Sequence, residues 1–134
     1  AILMPEVGYR LSRRFAVALA GRHQFITSRD PNMATGAHAV LLRAIWSAAS
    51  GRVRPYGVAS LGGGEGFRLL LQARDGQRTF RDTVRGGPLL GGLAGGLAIP
   101  FGESWSAVVE VAWLASAPSF SIAFDAVTGL RFAF

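Results

Sequence analysis

The chain has 134 residues, half of them hydrophobic and 16% charged, with no cysteine and a formal charge of +6 in which arginine supplies every strongly basic group. That length suits a single domain over 1–134 rather than two independent cores, and the lack of cysteine excludes disulfides and thiolate metal sites. No run of about 18 or more apolar residues reads as a membrane-spanning helix, so the apolarity is dispersed among short segments.

Taken in chain order, those segments alternate with a period of two, the signature of strands. Leu3, Val7, Tyr9 and Leu11 stand opposite Glu6, Gly8 and Arg10. After a short turn at Ser12-Arg13, Phe15, Val17, Leu19 and Phe25 alternate with Ala16, Ala18, Ala20, Arg22 and Gln24. From His38 to Ala49, Val40, Leu42, Ala44, Trp46 and Ala48 share one face, with Arg43 and Ser47 on the other.

The stretch 54–72 is less regular. Its Gly62-Gly63-Gly64-Glu65-Gly66 run fits either a bulge within one long strand or the turn of a hairpin. Next, Leu89, Leu93, Leu97, Ile99 and Phe101 alternate with glycine and alanine. A helix over 88–101 would be too short for a span, with proline at each end and four glycines that weaken a helix, so the strand reading is preferred.

Trp105, Ala107, Val109, Val111 and Trp113 then oppose Ser106, Glu110 and Ala112. The last segment is the clearest: Phe120, Ile122, Phe124, Ala126, Leu130, Phe132 and Phe134 share one parity, and Ser119, Ser121, Asp125, Gly129 and Arg131 the other.

With 54–72 as one strand, the chain reads as seven antiparallel strands. The longer connections near 28–36 and 73–85 then fall at one end, and the short turns at Ser12-Arg13, Gly51-Arg52 and Gly102-Ser104 at the other. The prediction is an all-β, antiparallel up-and-down transmembrane β-barrel. Such barrels have even strand numbers and cannot leave open edges in lipid, so seven visible strands of eight are expected, in a chain lacking its first strand. No secretory signal is visible, which accords with a mature or truncated chain.

The direction of the pattern follows from the polar parity, which is poor in charge and rich in glycine, alanine and serine, as a narrow lumen requires. The mid-strand charges on that parity are of both signs: Glu6, Arg22, Arg43, Glu110, Asp125 and, nearer one end, Arg131. Buried charges are tolerated when paired, so these six residues are expected to form an ion-pair network filling the lumen. Aromatic residues such as Tyr9, Phe15, Phe101, Trp105 and Phe132 cluster near strand ends on the apolar parity, where membrane interfaces favour them.

Gly129, Phe132 and Phe134, ending an alternating strand, resemble the C-terminal assembly signal of the outer-membrane β-barrel superfamily, particularly its small OmpA/OmpX-like barrels; Val127 stands where that signal usually has a polar residue. The resemblance implies a Gram-negative outer-membrane location, contact with the barrel-assembly machinery, and partners in outer-membrane lipid and lipopolysaccharide. The segment from Ala73 to Arg85 reads as an external loop whose Arg74, Arg78, Arg81 and Arg85 are candidates for lipopolysaccharide phosphate contact.

His23 and His38 fall near the external ends of neighbouring strands, with Ser28 nearby. A Ser–His hydrolase acting on lipid needs a carboxylate to orient the histidine, and none is evidently placed to do so. Two histidines distant in sequence also make a weak metal site. The reading is therefore a non-enzymatic, monomeric anchor, scaffold or surface-interaction module with a plugged lumen, no cofactor, no metal and no nucleic-acid partner. The rival readings are a narrow pore and a soluble lipocalin-like barrel binding a small hydrophobic ligand.

Overall fold

The computed structural model describes residues 2–26, 35–48, 51–75, 78–101 and 104–132, with backbone alone at 26, 35, 67, 69–75, 78–82 and 84. Among the described residues there is no helix. The strands are β1 (Ile2–Leu3), β2 (Glu6–Arg10), β3 (Phe15–Ile26), β4 (Thr35–Ser47), β5 (Arg54–Gly64), β6 (Phe67–Asp75), β7 (Arg78–Phe101), β8 (Trp105–Ser119) and β9 (Ser121–Phe132).

Two of these boundaries are interruptions rather than turns. Leu3 pairs with His23 and Glu6 with Ala20, three residues apart in both strands, so β1 and β2 are one strand broken at Pro5. Proline has no N–H to give the ladder, although its carbonyl still accepts from Gly21 N at 3.0 Å. Similarly, Gly63 pairs with Leu89 and Phe67 with Gly86, four residues against three. One extra residue on the β5–β6 side makes a bulge, and 54–75 is a single long strand facing β7.

Glycine is required at this bulge. Gly64 and Gly87 have φ of +135° and +138°, a region costly for residues with a Cβ. A Cβ on Gly64 would also lie 2.3 Å from the His38 carbonyl oxygen, and one on Gly87 2.2 Å from that of Gly64.

Counted this way, seven antiparallel strands follow one another around the sheet in chain order, an up-and-down barrel. The tight turn between β2 and β3 is closed by Ser12, whose hydroxyl accepts from the N–H groups of Arg14 and Phe15 at 3.3 and 3.1 Å. The expected loop over 73–85 is corrected by the structure. Ala73–Asp75 and Arg78–Arg85 continue β6 and β7 in register down to Asp75↔Arg78, leaving only 76–77 between them. The charges there do not interrupt pairing, because Thr79, Phe80, Thr83 and Val84 keep a strand-compatible composition. Among the described residues the hairpin pairs with β4 at the bridge Thr35↔Leu69.

The barrel is nearly closed. β1 lies beside β9, but among the described residues no ladder joins them, and seven is an odd number, so the first and last strands run parallel. A cleft of about 250 Å³ marks this seam, lined among others by Ile2, Met4, Glu6, Val127, Gly129 and Arg131.

Alternation sorts the side chains into two opposed populations. The interior holds two apolar layers, one of Ala18, Ile45, Tyr56, Val58 and Ala98, the other of Ala39, Leu41, Leu90 and Leu114. Leu19, Leu42, Leu61, Leu93, Val111, Trp113 and Phe124 are exposed on the outside.

Candidate functional site: the charged interior

The interior also contains charge. Arg22 on β3 is fully buried and Asp125 on β9 is 3% exposed. Their side chains meet in a bidentate pair, Nε to Oδ2 at 2.6 Å and Nη2 to Oδ1 at 2.9 Å. The guanidinium spends a further donor on the Gly66 carbonyl at 3.0 Å and another on Gln24 Oε1 at 3.4 Å. The bulge thus has a structural consequence inside the barrel: it presents the Gly66 carbonyl to Arg22.

A second cluster occupies the neighbouring level. Arg43 on β4 donates to Glu6 on β2 and to Glu110 on β8. Glu110 accepts a hydrogen bond from the Tyr56 hydroxyl at 3.0 Å, and Glu6 also meets Arg131 Nε at 3.3 Å. Arg131 lies over the Tyr56 ring, 4.5 Å from its centroid, a cation–π arrangement. The cluster closes on itself: Arg131, Glu6, Arg43, Glu110, Tyr56 and back to Arg131.

Across both clusters three guanidinium groups face three carboxylates, so the network is neutral as a whole. Each carboxylate is engaged by arginine, which makes the arrangement suited to filling a narrow interior. Among the described residues no group of three or more histidine, aspartate or glutamate side chains stands close enough to hold a metal ion.

All six residues singled out from the sequence for the lumen lie in these two clusters. Tyr56 was missed, although its signal was present: it is the one aromatic residue on the inward parity of 54–64, in step with Val58 and Ser60. Of the terminal motif, Gly129 pairs with Val108, and Phe132 packs on Trp105 with ring centroids 4.9 Å apart; Phe134 lies outside the described residues. So does Ser28, and so do the side chains of Arg74, Arg78 and Arg81. Arg85 is exposed, 3.6 Å from Glu65.

The outer face also carries a pair of polar rings. His23 and His38 are paired across β3 and β4, with Nδ1 atoms 2.9 Å apart and ring centroids at 5.0 Å. Their separation of 15 residues concealed this contact in the sequence. No family model, curated protein or solved structure matches the chain.

Proposed function

We propose that the chain is the membrane-spanning barrel of a bacterial outer-membrane protein, serving as a non-enzymatic anchor, scaffold or surface-interaction module with a plugged lumen. The observation that carries this reading is the inversion of burial. Phe124 is 77% exposed and Leu61 60%, whereas Arg22, Glu110 and Asp125 are exposed by 3% or less. A soluble protein rarely presents so continuous an apolar surface, and a lipid-facing barrel requires one. Strands of 12 to 15 residues in β3, β4, β8 and β9 also exceed the roughly 9–11 residues needed to cross a bilayer when tilted.

A lipocalin-like barrel needs an apolar cavity, and two buried arginine–carboxylate contacts and a partly buried third in the interior count against one. The paired interior supports a plugged barrel over a pore. The absence of a ladder at the seam among the described residues supports the expectation of an eighth strand, since an odd barrel closed directly would join parallel strands, and unsatisfied backbone groups in lipid cost several kcal/mol each, on the order of the desolvation penalty of a peptide group.

The β6–β7 hairpin is the proposed contact with lipopolysaccharide. Register groups Arg74, Arg81 and Arg85 in one parity together with Arg68, Arg68 directly opposite Arg85 and Arg74 opposite Thr79, whereas Arg78, the fourth arginine expected there, pairs with Asp75 on the other parity. Like charges placed opposite one another are unfavourable unless an anion lies between them.

Folding of the purified chain with and without detergent tests the reading. A β-sheet spectrum and resistance to protease only in micelles or vesicles, with silence in planar bilayers, are the expected results. A monodisperse folded monomer in plain buffer would overturn the membrane assignment, and steady single-channel conductance would replace the plugged barrel by a pore.

A further inference from the structure

We infer that His23 and His38 form a two-imidazole site on the outer rim of the barrel for a borderline divalent transition-metal ion such as Cu²⁺, Ni²⁺ or Zn²⁺. The inference rests on the β3–β4 register and on the contact between the rings.

Imidazole nitrogens bind such ions at about 2.0–2.1 Å. Two bonds of that length meeting at a right angle span about 2.9 Å, and at the tetrahedral angle about 3.3 Å. The observed Nδ1···Nδ1 separation is 2.9 Å, so two neighbouring coordination positions are already at the required spacing. For both lone pairs to converge on one ion, each ring must turn its Nδ1 by roughly 35–45° away from the line joining the two nitrogens, and χ2, a broad torsion in histidine, is the angle that supplies the turn.

In the metal-free pair, one Nδ1 carries a proton and donates it to the other, because two bare lone pairs facing each other would repel. Binding requires that proton to move to the same ring's Nε2, leaving both Nδ1 atoms as ligands and both Nε2 atoms protonated. The two rings remain neutral, and no proton need leave the protein.

The backbone beneath the site is held on both sides. Arg22↔Ala39 and Gln24↔Ala37 continue the ladder around the histidine pair. On its other edge the His38 carbonyl accepts the Glu65 N–H at 2.8 Å. Ligands fixed in this way lose little conformational freedom on binding, which favours affinity. Both rings are accessible, and Gly21 leaves room beside His23: a Cβ there would come no closer than 3.6 Å to Nε2. Water or an anionic ligand would complete the coordination.

With two nitrogen ligands from the protein, copper should bind most tightly, following the usual order of divalent ions. The ion would clip β3 to β4 three rungs before the last described one, Ile26↔Thr35.

The test is a titration of the untagged chain, folded in detergent micelles, with Cu²⁺, read by calorimetry and by electron paramagnetic resonance. One ion per barrel with two imidazole nitrogens in its spectrum is expected. His23→Asn and His38→Asn should each weaken binding on the order of tenfold or more, as loss of a ligand does at least as much as loss of a ligand's supporting contact. The double variant should be little weaker than either single one. Circular dichroism and heat-dependent gel mobility establish that the variants fold, and both side chains lie outside the core. Equal binding by the parent and the double variant, including no binding by either, would overturn the site. A spectrum with a single imidazole would do the same.

Discussion

Arg22 and Asp125 are joined by two hydrogen bonds of 2.6 and 2.9 Å although 103 residues separate them and, among the described residues, no backbone ladder connects β9 to β1 or β2. The Glu6–Arg131 contact crosses the same seam at 3.3 Å. Across this seam a buried pair holds β3 to β9 and a partly buried pair holds β2 to β9. The interior charges therefore fill the lumen and also substitute for missing strand pairing.

Breaking that pair should be expensive. Asp125→Ala leaves the Arg22 guanidinium buried without its carboxylate, and removal of one partner of a buried pair costs about 3–5 kcal/mol. The double variant Arg22→Met, Asp125→Leu should recover most of the loss, because two apolar groups replace two charges. Denaturant midpoints of the detergent-folded variants check both statements, and a double variant less stable than Asp125→Ala would contradict the account.

Within the second cluster the effects should be graded. Tyr56→Phe removes one hydrogen bond to a charged acceptor, worth about 1.5–3 kcal/mol, while preserving the ring under Arg131. Glu110→Ala should cost more, since it strips Arg43 of one of its two carboxylates. Glu65→Ala is the surface comparison: its partner Arg85 is 3.6 Å away and exposed, and pairs of that kind contribute about 0–1 kcal/mol. Unfolding of the three variants side by side should give that ranking.

At the bulge, Gly64→Ala and Gly87→Ala meet both an unfavourable φ and a backbone oxygen closer than 2.5 Å to the new Cβ. Strained backbone of this type costs about 1–3 kcal/mol per residue, and the collisions add to it. Gly57→Ala is the control, because a Cβ there finds its nearest neighbour at 4.0 Å. Stability of the control should match or slightly exceed that of the parent, since glycine weakens a strand interior.

The outward face offers the sharpest discrimination between lipid and water. Leu61 lies in a row with Leu19 and Leu42 and is 60% exposed. If lipid covers it, Leu61→Arg should cost about 2–4 kcal/mol in bilayers. A water-facing position would tolerate the change within about 0.5 kcal/mol, and measurement of folding free energy in vesicles distinguishes the two.

Local alternation was sufficient to sort this chain's residues into two faces. A strand turns each successive side chain to the opposite side, so the parity of Arg22, Arg43, Glu110 and Asp125 against Leu19, Leu42, Val111 and Phe124 was legible without knowing any strand's neighbour. The Gly62–Gly66 run likewise announced a special backbone position, whereas the connection lengths that favoured one long strand over a hairpin included a 73–85 loop that the structure replaces by paired strand.

Only the tertiary structure decided which charge meets which. Arg22 finds Asp125 and Arg43 finds Glu6 and Glu110 because strand order and curvature bring distant strands together around a narrow interior, information that no local period contains. Register in the same way placed His23 against His38 and turned the charged 73–85 segment into paired strand, since hydrogen bonding between strands depends on partners rather than on the composition of either one.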